Sequence, residues 1–122
     1  MDNRHGATQT QINVKQLIAI AFALAFAALA ARADPVDNWG HFCASCHGKD
    51  GAGKTRPGKR LGVKDLTTAD YQKTFSDDDA FNSLKNGLKS ADGAATKMKS
   101  FADKLSDDDI KALVTYVRTM AK

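Results

Sequence analysis

The feature that most constrains this sequence is a group of three side chains, Cys43, Cys46 and His47, within the five residues Cys43-Ala44-Ser45-Cys46-His47. The group includes both cysteines of the chain. Two cysteines at this spacing can form a disulfide, a thiol redox pair, half of a metal site or a cofactor anchor, so their number alone decides nothing. The rest of the sequence has to distinguish among these four uses.

The first 33 residues have the pattern of a signal peptide. Arg4 and Lys15 give a positive leader, and residues 17–31 form an uncharged run of mainly Ala, Leu, Ile and Phe. The run is shorter than the about 20 residues that a membrane-spanning helix needs. It ends at Ala31-Arg32-Ala33, a small-x-small cleavage site. We therefore expect export and cleavage after Ala33, with an uncleaved membrane anchor as the alternative.

Residues 34–122 then form a single small domain. Its 15 basic and 13 acidic side chains give a formal net charge of +2, against +4 for the whole chain. This charge, without a binding motif, argues against a nucleic-acid partner. A domain of 89 residues has only a marginal apolar core of its own. A disulfide across two residues would constrain the unfolded chain little, whereas a large apolar cofactor would add core volume directly.

The pattern of apolar residues predicts an all-α domain. An apolar face at helical spacing predicts a first helix that runs into the cysteines, with Asp34 as its N-cap and Pro35 at the first helical position. That face comprises Val36, Trp39, Phe42 and Cys43. Residues 47–65 are rich in glycine and basic residues, which predicts a long irregular loop, and a short helical turn is expected around residues 68–73.

A repeated motif marks the starts of two further helices. Ser76-Asp77-Asp78-Asp79 recurs as Ser106-Asp107-Asp108-Asp109. The serine hydroxyl can accept from first-turn amides, and the aspartates lie at the positive end of the helix dipole, so we interpret both as caps rather than metal-binding clusters. The first helix ends near Gly87, and the second continues to the C-terminus. Residues 89–104 between them form a second polar loop, and no segment predicts a strand.

The Cys-x-x-Cys-His spacing is that of haem attachment, in which each thiol adds to one vinyl group and the histidine binds iron. A thioredoxin-like redox pair needs a strand before the motif, which an all-helical chain lacks. A zinc site needs further ligands, and only His5 and His41 remain. The motif therefore predicts one covalent haem c, with Cys43 and Cys46 as anchors and His47 as an iron ligand.

The second axial ligand is predicted by elimination. His5 and Met1 are removed with the leader, and His41 lies on the helix that leads to His47, where it reaches the other haem face poorly. Met120 lies at the end of the last helix. Met98 lies in a loop 51 residues beyond His47 and can cross over. A loop methionine is ordinarily a core gap-filler, but a haem that needs a ligand favours coordination. His/Met ligation closes the iron to substrates and favours electron transfer.

The domain resembles the small class I (monohaem) cytochromes c of bacteria over essentially all of residues 34–122. The motifs that carry the resemblance are Cys-Ala-Ser-Cys-His-Gly at 43–48, Gly51-Ala52-Gly53, Asp65-Leu66-Thr67, Asn86-Gly87, Met98 with Phe101, Leu-Ser-Asp at 105–107 and Leu113-Val114-Thr115-Tyr116-Val117. The resemblance implies N- and C-terminal helices that cross, one or two further short helices, and long loops around a covalent haem. It also implies an aromatic contact between Trp39 and Tyr116.

The resemblance implies a haem environment that includes Pro57, Leu61, Trp39 and Leu113. Pro57 is the candidate for a carbonyl that accepts a hydrogen bond from the proximal imidazole and orients it, although a plain turn proline is the alternative. The family often has a proline directly after the axial methionine. This chain has Lys99 there, so its ligand loop departs from the family pattern.

Basic side chains in both loops suggest acidic redox partners. They are Lys54, Arg56, Lys59 and Arg60 after the motif, and Lys97 and Lys99 beside Met98. A basic rim near a haem edge would speed encounter with acidic proteins; a solvated loop face is the alternative. The function predicted is that of a monomeric, periplasmic single-electron carrier that meets the membrane only through its partners or an uncleaved leader.

Two other classes of function stay open. One is a haem-based gas or ligand sensor in which Met98 is displaceable. The other is an enzyme such as a peroxidase, or the electron-accepting haem subunit of a periplasmic oxidoreductase. Peroxidase chemistry would need a distal acid or base, and the mature sequence offers no remaining histidine or glutamate for that task.

Overall fold

The structure is a computed structural model that describes residues 13–15, 18 and 33–122. Residues 33–122 form one compact unit. The predicted signal peptide, its cleavage site and the rejected ligands Met1 and His5 lie almost entirely outside the described residues, so the cleavage stays a prediction. Within the described part of the chain, no helix is both long and apolar enough to cross a membrane.

The compact unit consists of six helices and one small β-hairpin. In chain order the elements are α1 (Pro35–Phe42), α2 (Ala44–His47), α3 (Arg56–Leu61), α4 (Ala69–Gln72), α5 (Asp77–Asn86), β1 (Leu88–Lys89), β2 (Thr96–Met98) and α6 (Asp107–Arg118). The first and last helices, α1 and α6, pack against each other. Their contact includes Trp39 and Tyr116, whose ring centroids are 5.9 Å apart in an edge-on arrangement. The predicted aromatic contact is therefore confirmed.

The helix starts follow the predicted capping chemistry. The Asp34 carboxylate accepts from the amide of Val36 at 2.8 Å, and Pro35 is the first residue of α1. Both Ser-Asp-Asp-Asp repeats form capping boxes, in which the serine hydroxyl accepts from the third aspartate's amide at 3.0 Å in α5 and 3.1 Å in α6. The same aspartates accept from the serine amides. The interpretation of both repeats as caps is confirmed.

The prediction of an uninterrupted irregular loop over residues 47–65 is wrong, because α3 lies within it. Thr55 is the N-cap of α3, and its hydroxyl accepts from the amide of Gly58 at 3.0 Å. Pro57 lies in the first turn, where its missing N–H leaves no helical bond unmade. The helix ends at Gly62 with φ of 66°. The high glycine content of this segment hid the short helix from the prediction. Gly58 allows the helix to pack closely against neighbouring backbone, and Gly62 ends it.

The expectation that the chain contains no strand is also wrong. Strands β1 and β2 form an antiparallel hairpin in which Leu88 pairs with Met98, and Lys89 pairs with Thr96. Strands of two and three residues are too short to show the alternation by which a strand is predicted. The first helix also differs from the prediction. It ends at Phe42, and after Cys43 the motif continues in a separate short helix, α2.

The core lies between α1, α6 and the segments that connect them. Its buried members are Trp39, Cys43, Leu66, Phe101, Leu105, Ile110 and Leu113. Ile110 and Leu113 on α6 are essentially without exposure. Because Cys43 belongs to this core, the first cysteine of the motif is fixed by the same packing that joins the terminal helices.

Candidate functional site

A cavity of about 700 Å³ lies in the compact unit, within the range of about 300–1,000 Å³ that is usual for cofactor sites. Its walls come from α1 and α2, from residues 63–75, from α5 and from the hairpin. Most of its lining is apolar. The cavity brings together five of the predicted site residues, which are Trp39, Cys43, Cys46, His47 and Met98.

The motif forms one wall, which we call the proximal wall and define as residues 39–48. Three backbone carbonyls at the end of this wall are paired, two by the segment of residues 53–55 and one by Trp39. The Thr55 hydroxyl donates to Cys46 O at 2.7 Å, and the Gly53 amide donates to His47 O at 2.7 Å. The indole Nε1 of Trp39 donates to the carbonyl of residue 48 at 3.0 Å. The backbone that carries both cysteines and the histidine is therefore held in a single conformation.

Helix α3 supports this wall from behind through Thr55 and Gly58. A Cβ on Gly58 would collide with the carbonyl oxygens of Cys46 and Gly53, so only glycine permits this approach. Sequence reasoning did not single out either residue. A capping threonine followed by a proline in the first helical turn was the available signal.

The Cys43 thiol does not have the electrostatics of a redox-active cysteine. Burial raises the pKa of the Cys43 thiol to about 11, which keeps it protonated and a poor nucleophile. A thioredoxin-like pair needs a lowered thiol pKa and a strand before the motif. Over residues 33–122, the sheet is confined to the hairpin. The described residues also contain no group of three or more Cys, His or acidic side chains suited to a metal ion.

The surroundings of the His47 imidazole favour the state that binds metals. Burial lowers its pKa and so favours the neutral ring, which is the form that coordinates iron. Its ring lies 5.6 Å from that of Trp39. Its Nδ1 is buried and finds no hydrogen-bond acceptor among the described residues, the carbonyl of Pro57 included.

The hairpin forms a second wall, which we call the distal wall and define as residues 88 and 96–99. Met98 on β2 is half-buried and lines the cavity, as do Lys97 and Lys99 on either side of it. Leu88 lines it too and is 46% exposed. Met120 does not line the cavity; its sulfur packs against Gly51.

Other predicted residues lie away from the cavity. Among the described residues that line it, Pro57, Leu61 and Leu113 are not found. Leu113 is instead buried in the core beside Trp39 and Cys43. The two predicted basic groups also separate, because Lys97 and Lys99 line the cavity, whereas the basic side chains of residues 54–60 do not.

Two aromatic residues of the cavity, Tyr71 and Phe75, were not predicted. Arg118 holds this part of the wall: its guanidinium lies 4.5 Å from the Phe75 ring centroid and donates to Phe75 O at 2.9 Å. Gln72 is buried and donates to Leu66 O and to the carbonyl of residue 117, both at 2.7 Å. The bonds of Arg118 to Phe75 and of Gln72 to residue 117 join positions more than 40 apart, so no local sequence pattern signals them.

The cavity and its walls suit a haem. The volume and apolar lining accommodate a large flat cofactor, and two free thiols lie beside a half-buried imidazole whose pKa is lowered by desolvation. A methionine sulfur, which is a known haem ligand, lies on another wall of the same cavity. The fold and the site therefore define a monohaem class I cytochrome c.

Comparisons with known proteins agree with this class. A family model described as "Cytochrome C oxidase, cbb3-type, subunit III" matches residues 30–117. The chain therefore belongs to this family of cytochrome c domains, whose cofactor is covalently bound haem c with its iron.

Solved structures provide the second comparison. The KustC0563 c-type cytochrome is 30% identical with a TM-score of 0.65, and the match covers 74% of this chain and 100% of that one. A point mutant of Kustc0563 is 30% identical with a TM-score of 0.62, and that match covers 72% of this chain and 99% of the mutant. No curated protein matches the chain. The class I cytochrome c fold predicted from the sequence is thus confirmed.

Proposed function

We propose that this protein is a single-electron carrier of the periplasm. In this proposal Cys43 and Cys46 form the two thioether bonds to the haem, and His47 and Met98 are the axial ligands of its iron. The bound haem supplies a one-electron Fe(III)/Fe(II) couple. Two protein ligands leave no open iron position, which favours electron transfer over chemistry on a bound substrate.

The observation that supports this proposal most is the position of Met98. It lines the same cavity as His47 although it belongs to a different element, β2 rather than α2. Met120, the other methionine of the compact unit, packs against Gly51 and has no access to the cavity lining. Within residues 33–122, Met98 therefore carries the one thioether that lines the cavity, which supports His/Met ligation.

The cavity walls would exclude water from most of the cofactor. Trp39 and Phe101 are each 4% exposed, and the Phe42 and Phe101 rings contact edge-on with centroids 6.1 Å apart. An apolar, weakly polarisable environment of this kind raises the reduction potential of a haem by destabilising the extra charge of the oxidised state.

We propose that redox partners dock at the distal wall through an acidic surface. Lys97 and Lys99 lie at the cavity, and the partly exposed Leu88 adds an apolar contact beside them. Charges at this position would increase the rate of encounter rather than the strength of binding, as an electron shuttle requires. A donor in the membrane or periplasm and an acceptor such as a terminal oxidase, a reductase or a dehydrogenase would fit this surface.

Carbon monoxide tests the carrier function against the sensor alternative. The reduced wild-type holoprotein at neutral pH should keep its absorption spectrum under carbon monoxide, because Met98 occupies the position that the gas needs. Met98→Ala provides the positive control, since its reduced iron should bind the gas. A spectral change in the wild type equal to that in Met98→Ala would contradict the carrier function and support a sensor.

Hydrogen peroxide tests the enzymatic alternative in the same preparations. A carrier should show no more peroxide-dependent oxidation of a reducing dye than the haem-independent background. Met98→Ala is again the control with an open iron position. Sustained turnover by the wild type would contradict the carrier proposal.

A further inference from the structure

We propose that the C-terminal end of α5 fixes the position of the Met98 thioether, with Ser100 and Gly87 as positioning residues. This inference rests on the proposed function, in which Met98 is an iron ligand. It assigns a role to Ser100 and Gly87, which do not line the cavity. It also accounts for how the ligand loop is held although this chain has Lys99 where the family often has a proline.

The hairpin itself holds Met98 only weakly. Its strands contain two and three residues and share two residue pairs, Leu88 with Met98 and Lys89 with Thr96, with an irregular register between them. Residues 91–97 around the turn are all exposed. An isolated two-stranded hairpin is at best marginally stable in water. Another contact must therefore fix the strand that carries Met98.

The segment that follows Met98 supplies this contact by capping α5. The Ser100 hydroxyl donates to Lys85 O at 2.5 Å, and the amide of Phe101 donates to Leu84 O at 3.0 Å. Both carbonyls belong to the last turn of α5, where no later helical amide reaches them. Two residues downstream of Met98, the chain is therefore tied to the end of a helix.

Gly87 allows the strand to lie close to this helix end. Its φ of 80° and ψ of 175° fall in a region that only glycine occupies readily. A Cβ at this position would lie 2.6 Å from Met98 O and 2.8 Å from the amide of Ser100. A side chain at residue 87 would thus displace the backbone of the ligand residue itself.

Helix α5 is in turn linked to α6 by an ion pair near each of its ends. Lys85 Nζ contacts the two carboxylate oxygens of Asp107 at 2.8 and 2.9 Å, and Arg118 Nε contacts Asp77 Oδ1 at 2.8 Å. Both bonds lead to α6, which carries the buried residues Ile110 and Leu113. The segment that carries Met98 is thereby held, through α5, against α6. These bonds restrict the chain where the family often has a proline at the position of Lys99.

The rate at which an external ligand replaces Met98 tests this role. In the ferric holoprotein at saturating imidazole, replacement is limited by dissociation of the methionine. Ser100→Ala should raise this limiting rate about fivefold, the factor that corresponds to one lost hydrogen bond. Ser100→Thr keeps the hydroxyl and should restore the wild-type rate. Stopped-flow absorption of the ferric haem measures both.

Thr119→Val is the matched control for Ser100→Ala. The Thr119 hydroxyl donates to Tyr116 O at 2.6 Å, so the substitution also removes a hydroxyl bond to a carbonyl near a helix end, but one that lies on α6. Its imidazole replacement rate should equal that of the wild type. Equal rates in Ser100→Ala, Thr119→Val and the wild type would overturn the inference.

A pair of glycine variants gives a second, larger test. Gly87→Ala should raise the replacement rate more than tenfold, or abolish thioether ligation. Gly93→Ala is its control, because Gly93 also has a positive φ, of 70°, and lies in the same hairpin, but a Cβ there would have no neighbour within 4 Å. If Gly87→Ala does not fold, the Ser100 variants decide the question. A Gly93→Ala effect as large as that of Gly87→Ala would contradict the inference.

The two proposals fail in different ways. If the ferric wild type lacks the charge-transfer band of thioether ligation, Met98 is not the ligand, and the proposed function and this inference are both overturned. If the wild type has the band, Met98→Ala loses it, and Ser100→Ala replaces its ligand at the wild-type rate, then the inference alone is wrong.

Discussion

The proximal and distal walls of the cavity are built from different kinds of structure. Cys43 is 6% exposed within the core, and hydrogen bonds from Trp39, Gly53 and Thr55 hold the carbonyls of residues 46–48 that follow it. Met98 is half-buried on a three-residue strand, next to a turn in which every residue from 91 to 97 is exposed. Cys43, one of the two proposed covalent anchors, thus belongs to the core, whereas the proposed ligand Met98 depends on contacts at the base of a hairpin.

The largest effect is expected from removal of the proximal anchors. The double substitution Cys43→Ser and Cys46→Ser should abolish covalent haem attachment, because no other thiol exists in the chain. Haem staining of the denatured protein measures this. Ser45→Ala, which changes an exposed residue between the cysteines, should retain full staining. Covalent haem in the double variant would show that the proximal wall is not the attachment site.

Removal of the Trp39 side chain should be costly in stability. Trp39→Ala should lower the free energy of unfolding by about 3–5 kcal/mol, because the residue is buried, contacts Tyr116 and donates to the carbonyl of residue 48. The holoprotein that remains folded should keep its thioether band, since Met98 is held separately. Denaturant unfolding gives the first value. A loss below about 1 kcal/mol, or a lost band, would remove the distinction between the walls.

Reversal of the charges on the distal wall should slow electron transfer to an anionic oxidant more than the same reversal elsewhere. Lys97→Glu with Lys99→Glu should slow oxidation of the reduced protein by ferricyanide about tenfold at low salt, because the anion loses its attraction to the cavity rim. Lys59→Glu with Arg60→Glu changes the net charge equally, but these residues do not line the cavity. The control should be slowed much less, and added salt should reduce the difference. Equal slowing in both variants would contradict docking at the distal wall.

The smallest effects are expected from substitutions in the two capping boxes. The boxes have the same sequence but lie at different places in the fold. Asp79 lines the cavity and Asp109 does not. Asp79→Asn removes a negative charge from the lining of the cavity that would hold the haem, so it should favour reduction about twofold, or about 20 mV at 59 mV per tenfold. Asp109→Asn removes the equivalent cap and should leave the potential unchanged. Voltammetry of the two variants measures the difference, and equal potentials would show that position at the cavity is without effect.

The same aspartate gives a prediction for acid stability. Hydrogen bonds from the Ser76 amide and hydroxyl hold the pKa of Asp79 below its ordinary value of 3.8. The folded state therefore binds this proton less readily than the unfolded chain. The stabilisation is complete above pH 3.8 and is lost as the pH falls through the lower folded pKa. Asp79→Asn should reduce the pH dependence of unfolding in that interval, as acid titrations at fixed denaturant would show.

Sequence reasoning was most successful where the determining interactions are local. The capping boxes at Ser76 and Ser106 lie within four residues, and their geometry in the structure is that of the prediction. The contact between Trp39 and Tyr116 followed from the family resemblance rather than from a local pattern. The class of cofactor followed from Cys-x-x-Cys-His because the porphyrin itself fixes that spacing.

The features that escaped prediction are those set by distant contacts. The hairpin is too short for a periodic signal, and the residues that follow it, 100 and 101, bond to carbonyls of α5. Helix α3 was hidden by its glycines, of which Gly58 is required by contact with Cys46 rather than by a turn. The bonds of Arg118 to Gln72 and Phe75 cross 43 to 46 positions of the chain. Local patterns contain no information on such pairs.

The central claim is that Met98 is the distal ligand, and two methionine variants test it most directly. The ferric wild type and Met120→Ala should both show the charge-transfer band of thioether ligation, because Met120 packs against Gly51 outside the cavity. Met98→Ala should lack the band. A band that persists in Met98→Ala, or one that disappears in Met120→Ala alone, would contradict the account.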